Sequence, residues 1–343
     1  MHSMPSGGVL ECEPSTKWFP IFVSKLSGAT GKVVAVTGCT SGTGFVCALT
    51  CARKGAHVVM LNRSSSRASK AERQIRDLVP DSTVETIECD LASFTITRKA
   101  ADTLIQKFGA QGVDVLCCNA GVGSSSDLAT EDGYGIQMQT NHLSHFLLTT
   151  KCFPLLEMAA KQRGEARIVN HSSLARDFPR TLSEKHLGPN GGQLGGNGNY
   201  LIFGPSWRRY YMTKLANSVA TQAIHERLKA RRSAVKAVCA APGLAYTGMA
   251  EKFASSGLID SLFFQLTKCL LQSAEEATMP LLQCCLGEVS SGACIEPSSG
   301  PLGPVIRLWG PAVEVKLSAK VKDPASCQML WELSEKACGE WKL

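Results

Sequence analysis

"KVVAVTGCTSGTG", residues 32–44, starts as an unbroken apolar run and ends in a glycine-rich turn. Successive side chains of a strand point to opposite faces, so a run that is apolar throughout predicts a strand covered on both sides. A helical stretch follows, to Lys54. The same pattern recurs outward from this point. "HVVML" (57–61), "TVETIEC" (83–89), "VDVLCCN" (113–119), "ARIVNHS" (166–172) and "AVKAVCA" (234–240) all read as strands. Helix-length segments separate them, among them the amphipathic "RASKAERQIRDLV" (67–79) and the stretch 92–108. Strand–helix alternation with covered strands predicts an α/β fold, a doubly wound parallel sheet of about seven strands with helices on both faces. Ligands of such sheets bind outside the carboxyl ends of the strands.

The chain has 343 residues, a net charge of +7 and 15 cysteines. That length suits a single domain with extensions. Residues 1–30, rich in Pro, Gly and Ser with one short apolar run, "WFPIFV", read as a mobile N-terminal extension able to pack locally. Residues 31–300 form the domain, and 301–343 a C-terminal extension packed on it. The basic clusters Arg208–Arg209 and Lys229–Arg232 lack interleaved aromatics, which argues against nucleic acid. The excess charge suits an anionic cofactor. No CxxC pair and no zinc spacing occurs, and His142 and His145 share a helix face without a carboxylate, so no metal site is expected. Cys117, Cys118, Cys239, Cys284 and Cys285 lie in apolar runs as small hydrophobes, in keeping with a reducing compartment. No secretory pattern and no run of about 18 apolar residues is seen. The expected location is cytoplasmic or peripheral to an intracellular membrane. The closing Trp341-Lys342-Leu343 echoes a peroxisomal tripeptide, but Trp is a poor substitute for its small first residue.

The first turn contains Thr37, Gly38, Ser41, Gly42, Thr43 and Gly44 between a strand and a helix. There the glycines allow close approach of a pyrophosphate to free helix N–H groups. The second strand ends in Asn62-Arg63, where an acid would favour a free ribose hydroxyl. Arginine suits a 2′-phosphate, so NADP(H) is preferred over NAD(H). Asp90, followed by Leu91, accepts from an adenine amino group or caps the next helix. Asn119-Ala120-Gly121 leaves room for the adenine ribose against the backbone. At the other end, Ser172-Ser173 and Pro242-Gly243, with Thr247 shortly after, close strands five and six. Thr247 is placed to hold a nicotinamide carboxamide.

"WRRYYMTKLAN", residues 207–217, offers two tyrosines before a lysine. Tyr210 and Lys214 are one turn apart on a helix. Tyr211 is three before Lys214, and spacing alone does not exclude it.

Taken with "CDL" (89–91), "CNAG" (118–121), "TNHLSHFLLT", "IVNHSS" and "PGLAYT", these motifs resemble the short-chain dehydrogenases/reductases over roughly residues 31–340. "GAHVVMLNR", "DGYGIQMQTNHLSHFLLT" and "YYMTKLAN" look closest to the retinol dehydrogenase-like branch. The resemblance implies a Rossmann-like fold and a catalytic set of Asn141, Ser173, Tyr210 and Lys214. Tyr210 becomes the proton donor, and Tyr211 packing or substrate lining. Lys214 is expected to draw the phenol's pKa down and to bond the nicotinamide ribose, and Asn141 to order a water through its backbone carbonyl. Two departures stand out. Cys118 replaces a usual asparagine, and the Gly-rich insertion at 180–200 is longer than in the branch. That insertion reads either as a flap or as a disordered surface loop.

Residues 247–272 read as the substrate lid. Leu258, Leu262, Phe263, Leu266 and Leu270 fall at helical spacing, either as packing or as a greasy entrance. The resemblance implies a lipophilic carbonyl or alcohol substrate, retinoid-, steroid- or lipid-like. A homodimer and peripheral membrane contact are the candidate associations. The rival readings are a cofactor-binding sensor or scaffold without turnover, a light-dependent pigment reductase-like relative, and an epimerase or dehydratase. Ser41 at the middle glycine's place of TGxxGxxG speaks against the last.

Overall fold

The computed structural model describes residues 16–198, 204–245, 271–300, 303, 307–341 and 343. Residues 1–15, Thr247 and the part of the expected lid up to Leu270 lie outside the described residues.

The sheet contains β1 (Val33–Thr37), β2 (His57–Asn62), β3 (Val84–Glu88), β4 (Val115–Cys118), β5 (Ala166–His171), β6 (Val235–Ala240), β7 (Cys294–Ser299) and β8 (Trp309–Val315). Their order is β3-β2-β1-β4-β5-β6-β7-β8. The first seven run parallel, and β8 closes the edge antiparallel to β7. The alternation in β1 splits the core in two. Val33 and Ala35 join one apolar cluster, and Val34 and Val36 join the other. This is the two-faced burial that an unbroken apolar run predicts.

The described helices are α1 (Phe19–Lys25), α2 (Gly42–Arg53), α3 (Ser66–Leu78), α4 (Phe94–Phe108), the single turn α5 (Ile136–Met138), α6 (Ser144–Arg163), α7 (Pro205–Ala230), α8 (Ala274–Leu286) and α9 (Pro324–Cys338). α3 starts where Ser65 accepts from the Ala68 N–H, a cap worth about 1 kcal/mol. It buries only Ala68, Ala71 and Ile75, as its polar composition predicts. No described helix is long and apolar enough to cross a membrane.

Three features add to the sequence expectation. Part of the N-terminal extension is docked rather than loose: α1 packs Phe19 and Phe22 on the second apolar cluster, and the Trp18 N–H donates to Glu276 of α8 at 2.9 Å. The C-terminal stretch adds a strand as well as a helix. α9 lies on α6 and α7, with the Arg227 guanidinium 3.8 Å from the Trp331 ring centroid. Phe146 meets Trp331 and Trp341 edge-on at 5.3 Å each, so the terminal tryptophan is a packing residue. Third, the insertion is pinned through its described part. The Leu194 and Gly196 N–H groups both donate to Asp127 at 2.8 Å, and Arg209 donates to the Gly196 carbonyl at 2.8 Å. Charge-assisted bonds to buried partners replace the disordered alternative.

Candidate active site

The sheet order reverses direction between β1 and β4, and the turns after these two strands face each other. Gly38 sits at φ +74°, and a Cβ there would lie 2.9 Å from Ala120. At Gly44 a Cβ would meet the Gly38 carbonyl at 2.1 Å, so only glycine lets α2 close on the turn. Ser41 precedes α2 without giving it a side-chain cap. The first N–H groups of α2 are thereby left for an anion.

Asn62 is buried, and its Oδ1 accepts from the Cys39 N–H at 2.7 Å. It steadies the glycine turn. Arg63 beside it is exposed. A second arginine, missed in the sequence, joins the rim: Arg67 donates to the Ser41 hydroxyl at 3.3 Å. Its signal was the repeated base in "NRSSSR". Asp90 accepts from the Ala92 N–H at 2.9 Å, so one of its oxygens makes the local turn into α4, whose cap is Ser93. Leu91 is buried, its carbonyl accepting from Ser144 at 2.7 Å.

Asn119 is turned into the protein. Its amide donates to the Thr37 carbonyl at 2.9 Å, and its oxygen accepts from Thr43 at 3.0 Å and from His171 Nδ1 at 2.9 Å. It stitches β1, α2, β4 and β5 together and leaves only backbone at the surface of that turn. The Thr37 hydroxyl accepts from the Ala120 N–H at 2.9 Å and donates to His145 Nε2 at 2.9 Å. His145 Nδ1 in turn donates to the Asn141 carbonyl at 3.1 Å. The carbonyl assigned to a water therefore already has one protein donor.

Asn141 lies in a π-turn, Gln139–Leu143, of the kind that marks functional sites. Its side chain pairs with both backbone groups of Val122, at 2.8 and 2.9 Å, and donates to Thr213 at 2.9 Å. Two neighbours are gripped by α9: His142 bonds Ser334 at 2.9 Å, and the Leu143 carbonyl accepts from the Cys338 thiol at 3.2 Å. Gly121 faces the same corner. A Cβ there would sit 3.4 Å from Asn141 and 3.6 Å from Lys214.

The two serines that end β5 separate cleanly. Ser172 is buried and donates to the Lys214 carbonyl at 2.8 Å, fastening β5 to α7. Ser173 is half-buried and caps the short 3-10 turn Leu174–Asp177, and its hydroxyl works against the burial that raises the Tyr210 pKa. Lys214 donates to the His171 carbonyl at 3.0 Å, with its ammonium 5.5 Å from the Tyr210 ring centroid. Tyr211 instead stacks on Phe178 at 4.6 Å. The structure thus joins Ser173, Tyr210 and Lys214, with Asn141 behind Lys214.

One expectation is corrected. In the chain by itself, Lys214 does not draw the phenol down. Burial dominates and pushes Tyr210 up to about 12, with the Ser173 hydroxyl opposing it. Burial also draws Lys214 down to about 8. The buried rings of His145 and His171 are held neutral, drawn down by burial to about 4 and about 3.

Pro242 and Gly243 form the turn after β6. Gln272, also unforeseen, donates to the Pro242 carbonyl at 2.8 Å and ties the turn to the chain before α8. Spacing along the chain likewise hid a cluster of three thiols, Cys47, Cys117 and Cys285, within 4.8 Å of one another. They lie in the sealed core. Bonds to neighbouring thiols together with burial hold Cys47 and Cys117 protonated, and they pack as small hydrophobes.

Residues 32–183 match the family model of the short chain dehydrogenases. An oxidoreductase of Schizosaccharomyces pombe is 39% identical over 43% of this chain and 43% of its own length. The match thus spans less than half of that relative. Retinol dehydrogenase 14 of Homo sapiens is 29% identical over 90% of this chain and 87% of that protein. A crystal structure from Mycobacterium paratuberculosis superposes with a TM-score of 0.69 at 28% identity, covering 94% of this chain and 98% of that one. Other solved structures of this fold are complexed with NADP or NADPH. The chain is thus similar to the short chain dehydrogenases over its first half, and retinol dehydrogenases are among its relatives.

Proposed function

We propose that the protein is an NADP(H)-dependent oxidoreductase that interconverts a carbonyl and an alcohol on a lipophilic small molecule. The observation that carries this reading is the Ser173–Tyr210–Lys214 corner at the carboxyl edge of the sheet.

The chain's own residues fit the cofactor. The uncapped first turn of α2 offers N–H groups to a pyrophosphate, with Gly38 and Gly44 giving the close approach. Arg63 and Arg67 would hold a 2′-phosphate, each able to present a planar fork of donors. Lys214 would hold the nicotinamide ribose, and the Pro242–Gly243 turn would back the ring. When bound, the cofactor supplies or takes up the hydride at the substrate carbon.

In the reducing direction Tyr210 delivers its hydroxyl proton to the substrate oxygen. Ser173 donates a hydrogen bond to that oxygen and shares its growing charge. The phenolate that remains is favoured by the Ser173 hydroxyl, which opposes the burial that disfavours it. Asn141, through Thr213 and Val122, fixes the helix turn and the strand end on which Lys214 stands. Tyr211, engaged by Phe178, takes no part in the proton transfer.

The test is a panel of lipophilic aldehydes, ketones and alcohols run with NADPH, NADP, NADH and NAD, following absorbance of the reduced nicotinamide. Turnover that is faster with the phosphorylated cofactors supports the reading. Cofactor binding without turnover across the panel would instead favour a sensor or scaffold.

A further inference from the structure

We infer that two buried ion pairs, Asp127–Arg209 and Glu296–Arg176, are positioning braces, one for Tyr210 and one for Ser173. Among the described residues these are the two ion pairs in which both side chains are almost fully buried. Arg209 and Asp127 are 4% and 3% exposed, and Arg176 and Glu296 are 6% and 4%. Every other described pair has at least one partner well open to solvent.

Their placement is the argument. Arg209 immediately precedes Tyr210 on α7. Its guanidinium donates to the Ser125 and Gly196 carbonyls at 2.9 and 2.8 Å and lies 3.7 Å from Asp127. Asp127 in turn holds the Leu194 and Gly196 N–H groups. The brace therefore locks three pieces of chain together: the loop after β4, the Gly-rich insertion, and the turn of α7 that carries the phenol. Arg176 lies in the 3-10 turn that Ser173 caps, and pairs with Glu296 on β7. Arg307 flanks Glu296 from the other side at 4.0 Å. This brace fixes the serine's turn, which follows β5, to β7 on the far side of β6.

Stability alone does not account for such pairs. Taking both charges out of water costs about as much as the attraction returns, and apolar residues of similar volume often serve as well or better. Geometry is what the buried guanidinium groups supply, through directed bonds from Arg209 to the Ser125 and Gly196 carbonyls and from Arg176 to the Ser173 carbonyl at 3.5 Å. A misplacement of about 1 Å in a reacting group can lower a rate on the order of a hundredfold.

The inference rests on the roles given to Tyr210 and Ser173 above, and the experiment separates the two. Two double variants remove both charges at once and so avoid a lone buried ion: Asp127→Leu/Arg209→Met and Glu296→Leu/Arg176→Met. With each, kcat on the best carbonyl of the panel is expected to fall roughly tenfold to a hundredfold. The dissociation constant for NADPH, read by protein fluorescence, is expected to stay within about twofold of that of the unsubstituted chain, since neither pair touches the glycine turn. Amide hydrogen exchange is expected to quicken at 205–214 in the first variant and at 172–178 in the second. A folded double variant with unchanged kcat and unchanged exchange in its segment overturns the inference. So does a parallel loss of kcat, cofactor affinity and melting temperature, which is the mark of a merely structural pair. If the unsubstituted chain turns over no substrate, the oxidoreductase reading falls, and exchange alone decides the braces. Arg209→Lys, which keeps the charge but loses the fork, is expected to recover part of the lost rate.

Discussion

At the phosphate end of the sheet, the groups offered to a ligand are backbone N–H groups from one short piece of chain, residues 38–44. At the proposed chemical end they are side chains drawn from three separate places: the π-turn before α6, the end of β5 and the first half of α7. The first end is set by what glycine lacks, the second by what buried polar partners hold in place. Local geometry suffices for one. The other needs the whole domain folded around it.

This contrast can be broken or sharpened in four ways, taken in order of expected effect. Tyr210→Phe is expected to lower kcat by about 10²–10⁴-fold, while Tyr211→Phe changes it less than about threefold. Steady-state kinetics on the two variants decide this, and equal losses would remove the assignment of the proton donor.

Acid should unravel the chemical end first. His142, His145 and His171 are drawn by burial to about 3, about 4 and about 3. Their folded pKa values lie below the unfolded one, so between pH 6.5 and 4 the unfolded chain binds protons that the folded chain refuses. Stability is present above that window and is lost as pH falls through it, by about 1.4 kcal/mol per pH unit for each ring. Urea unfolding at pH 7, 6 and 5 measures the slope, and a flat profile would contradict the buried, neutral rings.

Gly44→Ala tests the phosphate end in isolation. Its Cβ has no room against the Gly38 carbonyl. A cost of roughly 1–3 kcal/mol is expected in unfolding, together with weaker NADPH binding. Unchanged stability would mean that the turn is looser than its packing shows. Last, Arg63→Ala and Arg67→Ala should each raise the KM for NADPH about tenfold and leave that for NADH nearly unchanged, the loss of one charge-assisted contact. Equal effects on both cofactors would remove the case for a 2′-phosphate.

The same contrast explains what could be read from the chain. Of the six strands from "KVVAVT" to "AVKAVCA", most were legible because burial on both faces leaves a largely apolar run, while "TVETIEC" was legible by its alternation, with Val84 and Ile87 buried. The glycine turn was legible because its partners adjoin it. The edge strand β8 carries no such signature, since only Gly310 of its seven residues is buried. The neighbours of Tyr210 were hidden for another reason. Asp127 and Arg209, or Arg176 and Glu296, are brought together by topology, and no spacing rule relates them. Asn119 was read as leaving space for a ribose, and its side chain instead ties four elements from within. Arg67 could have been found, because it stands in the first turn of α3, four residues after Arg63.

The clasp of α9 on the π-turn has a consequence for how the protein comes into being. His142 and Leu143, the two residues after Asn141, are held by Ser334 and Cys338, which stand 192 and 195 positions further along the chain. The ribosome delivers those partners long after the π-turn itself. A nascent chain can thus close its glycine turn well before α9 appears, yet it cannot finish the neighbourhood of Asn141 until α9 has emerged and docked.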